Sequence, residues 1–207
     1  MISDKGKFIY IHIPKTAGES VEEALTENFP DSRIVSNDPD WNILIKHDTF
    51  LEHDYSIKES LGNFFTFSFV RNPWDRMVSH WKYFVETKRS PEMPFDEFVL
   101  DFHRVLKEAD NGYWWNPYRK YVFTAPQLDF LVDENQRIAV DFVGRFETLQ
   151  EDFDYVCKKL NRNKIKLPHK NKTKRKKYQE YYKNQELINS VAKRYKKDID
   201  YFKYEFE

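Results

Sequence analysis

The chain has 207 residues and a mass near 25.3 kDa, and its 34 Lys and Arg balance 34 Asp and Glu, which argues against an overall polyanion binder. A mean hydropathy of −0.81 alone would suggest disorder, but 18 Phe, 13 Tyr and 5 Trp supply the core that disordered chains lack. Cys157, the single cysteine, excludes an internal disulfide and a zinc knuckle.

Phe8-Ile9-Tyr10-Ile11-His12-Ile13 is nearly continuous in β-branched and aromatic residues, the pattern of a strand buried on both faces of a parallel sheet. These are too few apolar residues for a signal-peptide core, and no stretch approaches the roughly 20 a membrane span needs, so a soluble, cytoplasmic type of protein is expected. Pro14 ends the strand. Gly18 then precedes Val21, Ala24 and Leu25, which predict a helix running to Phe29-Pro30. Strand, short loop and helix make the first half of an α/β crossover.

Arg33-Ile34-Val35 and Ile43-Leu44-Ile45 predict short strands, and Phe64 to Val70 a second interior one. Asn72-Pro73-Trp74-Asp75 predicts a helix start, with Asn72 as cap, Pro73 in the first helical position and Asp75 in the first turn. Trp74, Met77, Val78 and Trp81 form its apolar stripe. Residues 91–126 read as an insertion on the substrate side, with a helix carrying Phe95, Phe98, Val99 and Phe102 and then a loop from Asn111 to Phe123.

Ile138 to Phe146 predicts another strand. Thr148-Leu149-Gln150-Glu151 reads as a capping box for a helix with Leu149, Phe153, Val156 and Leu160 on one face. Lys158 to Lys177 holds eleven Lys or Arg and no acid. Tyr178, Tyr181, Tyr182, Ile188, Val191, Tyr195, Ile199 and Phe202 follow at helical spacing, so this basic block precedes an ordered helix rather than forming a free tail.

Pro14-Lys15-Thr16-Ala17-Gly18-Glu19-Ser20 lies at the carboxyl end of the first strand, where ligands collect in parallel sheets. Backbone N–H groups at a helix start, a lysine and two hydroxyls suit phosphate oxygens. The GxxxxGK[ST] order of a Walker loop is absent. Arg71 closes a buried strand and Ser79 follows on the next helix, so both are placed to face the same crevice. An ion pair with Asp75 is the competing role for Arg71. Two anion sites at neighbouring strand ends describe a ligand with two separated phosphate groups.

His12-Ile13-Pro14-Lys15-Thr16-Ala17-Gly18 followed by Val70-Arg71-Asn72-Pro73-Trp74-Asp75-Arg76-Met77-Val78-Ser79 resembles the carbohydrate sulfotransferases, in the branch close to the Golgi heparan and chondroitin enzymes. The likeness continues through Gln127, Val140 to Glu147, and Leu167 to Thr173. It implies one catalytic domain over 1–207, with a P-loop-NTPase-like three-layer α/β fold around a central, mostly parallel sheet flanked by helices. It also implies the sulfate donor 3′-phosphoadenosine 5′-phosphosulfate (PAPS) and a hydroxyl-bearing acceptor of the glycan class. The Golgi relatives carry a membrane anchor; this chain resembles the compact catalytic core without one.

The resemblance assigns roles by position. Pro14 to Ser20 would form the 5′-phosphosulfate loop, with Lys15 steadying the departing phosphate, and Arg71 and Ser79 would hold the 3′-phosphate. The basic segment 166–178 would cover the nucleotide, with Lys172, Thr173, Lys174 and Tyr178 near it. Many relatives have threonine where this chain has Glu19, which fits if that carboxylate faces solvent.

His47, just after Ile43-Leu44-Ile45, is the candidate base, because an imidazole titrates near working pH and relatives place a catalytic histidine in a comparable segment. His12 reads as a packed, hydrogen-bonded core group, and His53 and His80 are lesser candidates for the base. Tyr113, Trp114, Trp115 and Tyr118, with His53, are candidates for the acceptor surface, since flat amphipathic rings suit sugars. No metal-ligand spacing occurs, so no metal is expected. The competing classes are a P-loop small-molecule kinase, whose GK pair this chain lacks, and a non-enzymatic anion or nucleic-acid module, which leaves both phosphate motifs unexplained.

Overall fold

The structure is a computed structural model describing residues 1–34, 63–86, 93–101, 123–168 and 176–207. Its strands are β1 (Ile2–Ser3), β2 (Phe8–Ile11), β3 (Phe65–Val70) and β4 (Phe142–Arg145). Its helices are α1 (Gly18–Asn28), α2 (Pro73–Glu86), α3 (Phe95–Leu100), α4 (Leu149–Lys159), α5 (Gln185–Arg194) and α6 (Lys196–Phe202), with short 3₁₀ turns at Leu128–Phe130, Phe146–Thr148 and Tyr178–Tyr181. The chain divides into two compact units, Met1–Arg71 with Gln127–Lys172, and Asn72–Pro126 with Thr173–Glu207.

The first unit carries the sheet, in the order β1-β2-β3-β4. β1 runs antiparallel to β2, whereas β2, β3 and β4 are mutually parallel. Side chains alternate across a strand, so Phe8, Tyr10, Phe67 and Phe69 share one face. On that face Val21, Ala24 and Leu25 of α1 and Phe153, Val156 and Cys157 of α4 join them in one core. The register sets Tyr10 opposite Phe67, and their rings stack at 5.3 Å. Phe8 meets Phe29 edge-on at 5.0 Å. Burying each such ring contributes about 1.5–3 kcal/mol. Ile9, Ile11, Ser68 and Val70 on the other face are also buried. Ser68 keeps its hydroxyl satisfied by donating to the carbonyl of Ile11 at 2.7 Å.

In the second unit α2 begins as its sequence predicts. Asn72 Oδ1 accepts from the N–H of Trp74 at 3.0 Å, and Pro73 occupies the first helical position. Trp74 donates through Nε1 to the carbonyl of Ile188 at 3.0 Å, and Tyr182 donates its hydroxyl to the carbonyl of Trp74 at 2.9 Å, tying α2 to the carboxyl-terminal helices. Phe95 packs edge-on against Tyr182 at 5.0 Å. Arg76 is wholly buried, donates to the carbonyl of Ala125 at 3.1 Å and lies over the Tyr195 ring. Burial lowers its pKa, while Tyr195 and Asp198 act to raise it.

Several boundaries differ from expectation. The first strand stops at Ile11, and the predicted strand from Ile138 starts at Phe142, with Ile138 making only an isolated bridge to Val132. The capping box at Thr148 does not form. Its hydroxyl donates instead to Asp152 Oδ2 at 2.8 Å, and that same oxygen accepts the Arg145 N–H at 2.7 Å. Asp152 reaches both because a 3₁₀ turn separates β4 from α4. The single carboxyl-terminal helix is three pieces, interrupted before Asn184, whose side chain caps α5 by accepting from Leu187 N–H at 3.1 Å, and again at Tyr195. Val35 and the predicted strand Ile43-Leu44-Ile45 lie outside the described residues.

Candidate functional site

β2 delivers the chain to Pro14 at the carboxyl end of a parallel strand, and α1 starts at Gly18. Two non-glycine residues of the connecting loop adopt left-handed conformations, Lys15 with φ 68° and Ala17 with φ 71°. Each costs about 1–3 kcal/mol, and such strain persists only where surrounding structure over-determines it. Here Thr16 supplies part of that hold. It is completely buried and donates its hydroxyl to the carbonyl of Ile13 at 2.9 Å, so its proton shapes the turn. Ala17 then accepts the first helical N–H from Ser20 at 3.0 Å, and no side chain caps the helix. Lys15 is half-buried, Ser20 is buried and Glu19 is exposed to solvent, the orientation in which its carboxylate is compatible with an anion site.

Gly18 is required by a close approach. A Cβ there would overlap the His12 ring, which packs directly on the Gly18 backbone. His12 is itself buried, with Nδ1 2.8 Å from Glu22 Oε1 and its ring stacked near Tyr10. It is the packed, hydrogen-bonded core group expected from its position, and it braces the loop from behind.

Arg71 immediately follows β3 and is only 4% exposed. Its Nη1 donates to the carbonyl oxygen of Lys15 at 3.0 Å, and its guanidinium carbon lies 3.9 Å from the centre of the Phe146 ring. Its backbone is held as firmly. Gln127 Oε1 accepts the Arg71 N–H and Gln127 Nε2 donates to the Arg71 carbonyl, both at 2.8 Å. The two sequence motifs therefore meet within the first unit, at the Lys15 carbonyl.

The other predicted site residues are distributed as follows. Ser79 is half-buried on α2 in the second unit. Tyr178, also in the second unit, donates its hydroxyl to the Glu207 carbonyl at 3.0 Å and accepts from Asn72 Nδ2 at 3.4 Å; burial is the main cause raising its pKa. His80 is completely buried and lies edge-on to Phe123. His47, His53, Tyr113, Trp114, Trp115, Tyr118, Lys172, Thr173 and Lys174 lie outside the described residues. No local sequence pattern marks Gln127 or Phe146 for a role at this site. Their only signal was inclusion in the stretches of resemblance.

Among the described residues no helix is long and apolar enough to cross a membrane. A family model described as the sulfotransferase family matches residues 1–205. An uncharacterized protein from Archaeoglobus fulgidus is 27% identical over 103 residues, which is 50% of this chain and 72% of that protein. The crystal structure of a sulfotransferase from Alicyclobacillus acidocaldarius aligns over 97% of this chain and 96% of its own, with a TM-score of 0.50 and 14% identity, a likeness of fold. The α/β class with a mostly parallel sheet agrees with that likeness. Since the family match takes in both halves of the Lys15–Arg71 meeting and nearly the whole sequence around it, the chain belongs to the sulfotransferase family.

Proposed function

We propose that this chain transfers a sulfuryl group from PAPS to a hydroxyl group of a carbohydrate. One observation carries the reading most directly: the Arg71 guanidinium reaches the Lys15 carbonyl at 3.0 Å, so a lysine-bearing helix-start loop and an arginine at a neighbouring strand end face one region. Two cationic residues at neighbouring strand ends suit a nucleotide phosphorylated at both its 5′ and 3′ ends, and the uncapped start of α1 adds backbone donors for its oxygens.

The donor supplies an activated sulfuryl group whose bond to the 5′-phosphate breaks as a bond to the acceptor oxygen forms. Lys15 holds its ammonium against the phosphate side of that bond, where negative charge grows. Arg71 and Ser79 hold the 3′-phosphate, and Lys172, Thr173, Lys174 and Tyr178 are assigned to the segment that covers the nucleotide. His47 takes the acceptor's hydroxyl proton. His53, Tyr113, Trp114, Trp115 and Tyr118 supply the sugar-facing surface, whose flat rings with polar edges favour a carbohydrate.

The test is transfer from labelled PAPS to a panel of glycans and simple phenols, with the product identified, in the natural sequence and in Lys15→Ala and His47→Ala. A sulfated glycan, lost in both variants, is the expected result. Product on phenols alone would overturn the acceptor, near-normal turnover in His47→Ala the base, and tighter binding of ATP than of 3′-phosphoadenosine 5′-phosphate the donor.

A further inference from the structure

We propose that Gln127 and Phe146 are positioning residues that set Arg71 for the nucleotide's 3′-phosphate, and that through them the chain tells a 3′-phosphorylated adenylate from one lacking that group. The inference rests on the donor reading above and adds to it the residues that enforce donor selectivity.

The register of β3 with β4 ends at Val70 opposite Arg145, so Arg71 is the first residue beyond the paired strand. A backbone that has just left a sheet has an N–H and a carbonyl needing new partners. Gln127 supplies both from one side chain, at 2.8 Å each, and is completely buried while doing so. The amide thus takes the place of a neighbouring strand for a single residue, fixing where Arg71 starts. Phe146 fixes the rest. Its ring centre lies 3.9 Å from the guanidinium carbon, which sets the plane of the fork, and the bond to the Lys15 carbonyl at 3.0 Å sets its rotation within that plane.

An arginine held at its backbone, its face and its edge has already lost the freedom that binding would otherwise remove. Ligation of a phosphate by a planar fork is sensitive to orientation. Neither Gln127 nor Phe146 needs to touch the ligand for this to operate. Releasing either one lets the fork turn away, and although Arg71 also braces the Lys15 loop, the larger penalty falls on ligands that use the fork.

The experiment is calorimetric titration of 3′-phosphoadenosine 5′-phosphate and of adenosine 5′-phosphate into the natural protein, Gln127→Met, Phe146→Leu and Phe146→Tyr, with thermal melts of each. The natural protein should favour the bisphosphate by about tenfold to a hundredfold. Gln127→Met and Phe146→Leu should cut that ratio by about tenfold, leave monophosphate affinity within about twofold, and raise the donor KM with little change in kcat. Phe146→Tyr, which keeps a ring under the guanidinium, should retain the ratio.

Folded variants that keep the ratio, or lose both nucleotides equally, would overturn the positioning role. Should Gln127→Met fail to fold, the pair of half-buried Phe146 variants decides alone. A natural protein that does not distinguish the two nucleotides would overturn the donor reading itself, a result read before any variant is made.

Discussion

Arg71 and Lys15, 56 positions apart, are joined by a hydrogen bond from the arginine's Nη1 to the lysine's backbone carbonyl at 3.0 Å. The arginine therefore braces a loop whose lysine has a left-handed backbone, φ 68°. Arg71→Lys tests the fork, since a lone ammonium cannot serve the carbonyl and a phosphate in the same geometry. The donor KM should rise about tenfold, and urea unfolding should show a loss of about 1–2 kcal/mol. Unchanged values in both measurements would make the arginine's shape irrelevant.

Gly18→Ala drives a methyl group into the His12 ring, which Glu22 holds at 2.8 Å and which has nowhere to withdraw in a buried position. The cost should be at least about 1–3 kcal/mol. The double variant Gly18→Ala/His12→Ala should be less destabilised than the sum of the two singles, because the clash is absent once the ring is gone. Thermodynamic additivity across that cycle would place the strain elsewhere.

Asp152→Ala removes an acceptor shared by the Arg145 N–H at 2.7 Å and the Thr148 hydroxyl at 2.8 Å, and should lower stability by about 1–2 kcal/mol. Glu151→Ala, at the position a capping box would use, should fall within about 0.5 kcal/mol of the natural protein. Equal losses in chemical denaturation would restore the capping box.

Alkaline stability should fall in a defined direction. Burial raises the Cys157 thiol, and burial with the nearby Glu22 charge raises Tyr10 well above the usual phenol range. In the second unit burial is also the leading cause raising Tyr182 and Tyr195. The folded chain holds these protons while the unfolded chain releases them from about pH 8.5–10 upward. Their contribution is therefore complete below that range and is lost as pH rises through the folded values. Urea midpoints measured from neutral to alkaline pH should decline accordingly, with part of the phenolate absorbance appearing only on unfolding. A midpoint that stays level across the range would contradict this.

Local patterns were the legible part of the fold. The run Phe8 to Ile13, the Pro14–Ser20 loop and the Asn72-Pro73 helix start carry their information within a few residues, and β2, α1 and α2 follow them. The break at Tyr195 was hidden because Val191, Tyr195 and Ile199 keep helical spacing across it. β1 was missed because two residues give no alternation to read. In the site, Lys15 and Arg71 stood out by charge and context. Gln127 did not, because its function is a pair of bonds to a backbone 56 residues away, and no local spacing encodes such a partner.

The Gln127–Arg71 clasp also closes a circuit in the chain. Polypeptide leaves the first unit after Arg71 and re-enters it at Gln127, so residues 72–126 depart and return through two positions that are fastened together. Lengthening or shortening a flexible stretch within that excursion changes closure entropy only slowly, by about 0.6 kcal/mol per doubling of its length. Changes in such stretches can thus leave the end of β3 aligned, while α2 stays fastened to the carboxyl-terminal helices through Trp74 and Tyr182.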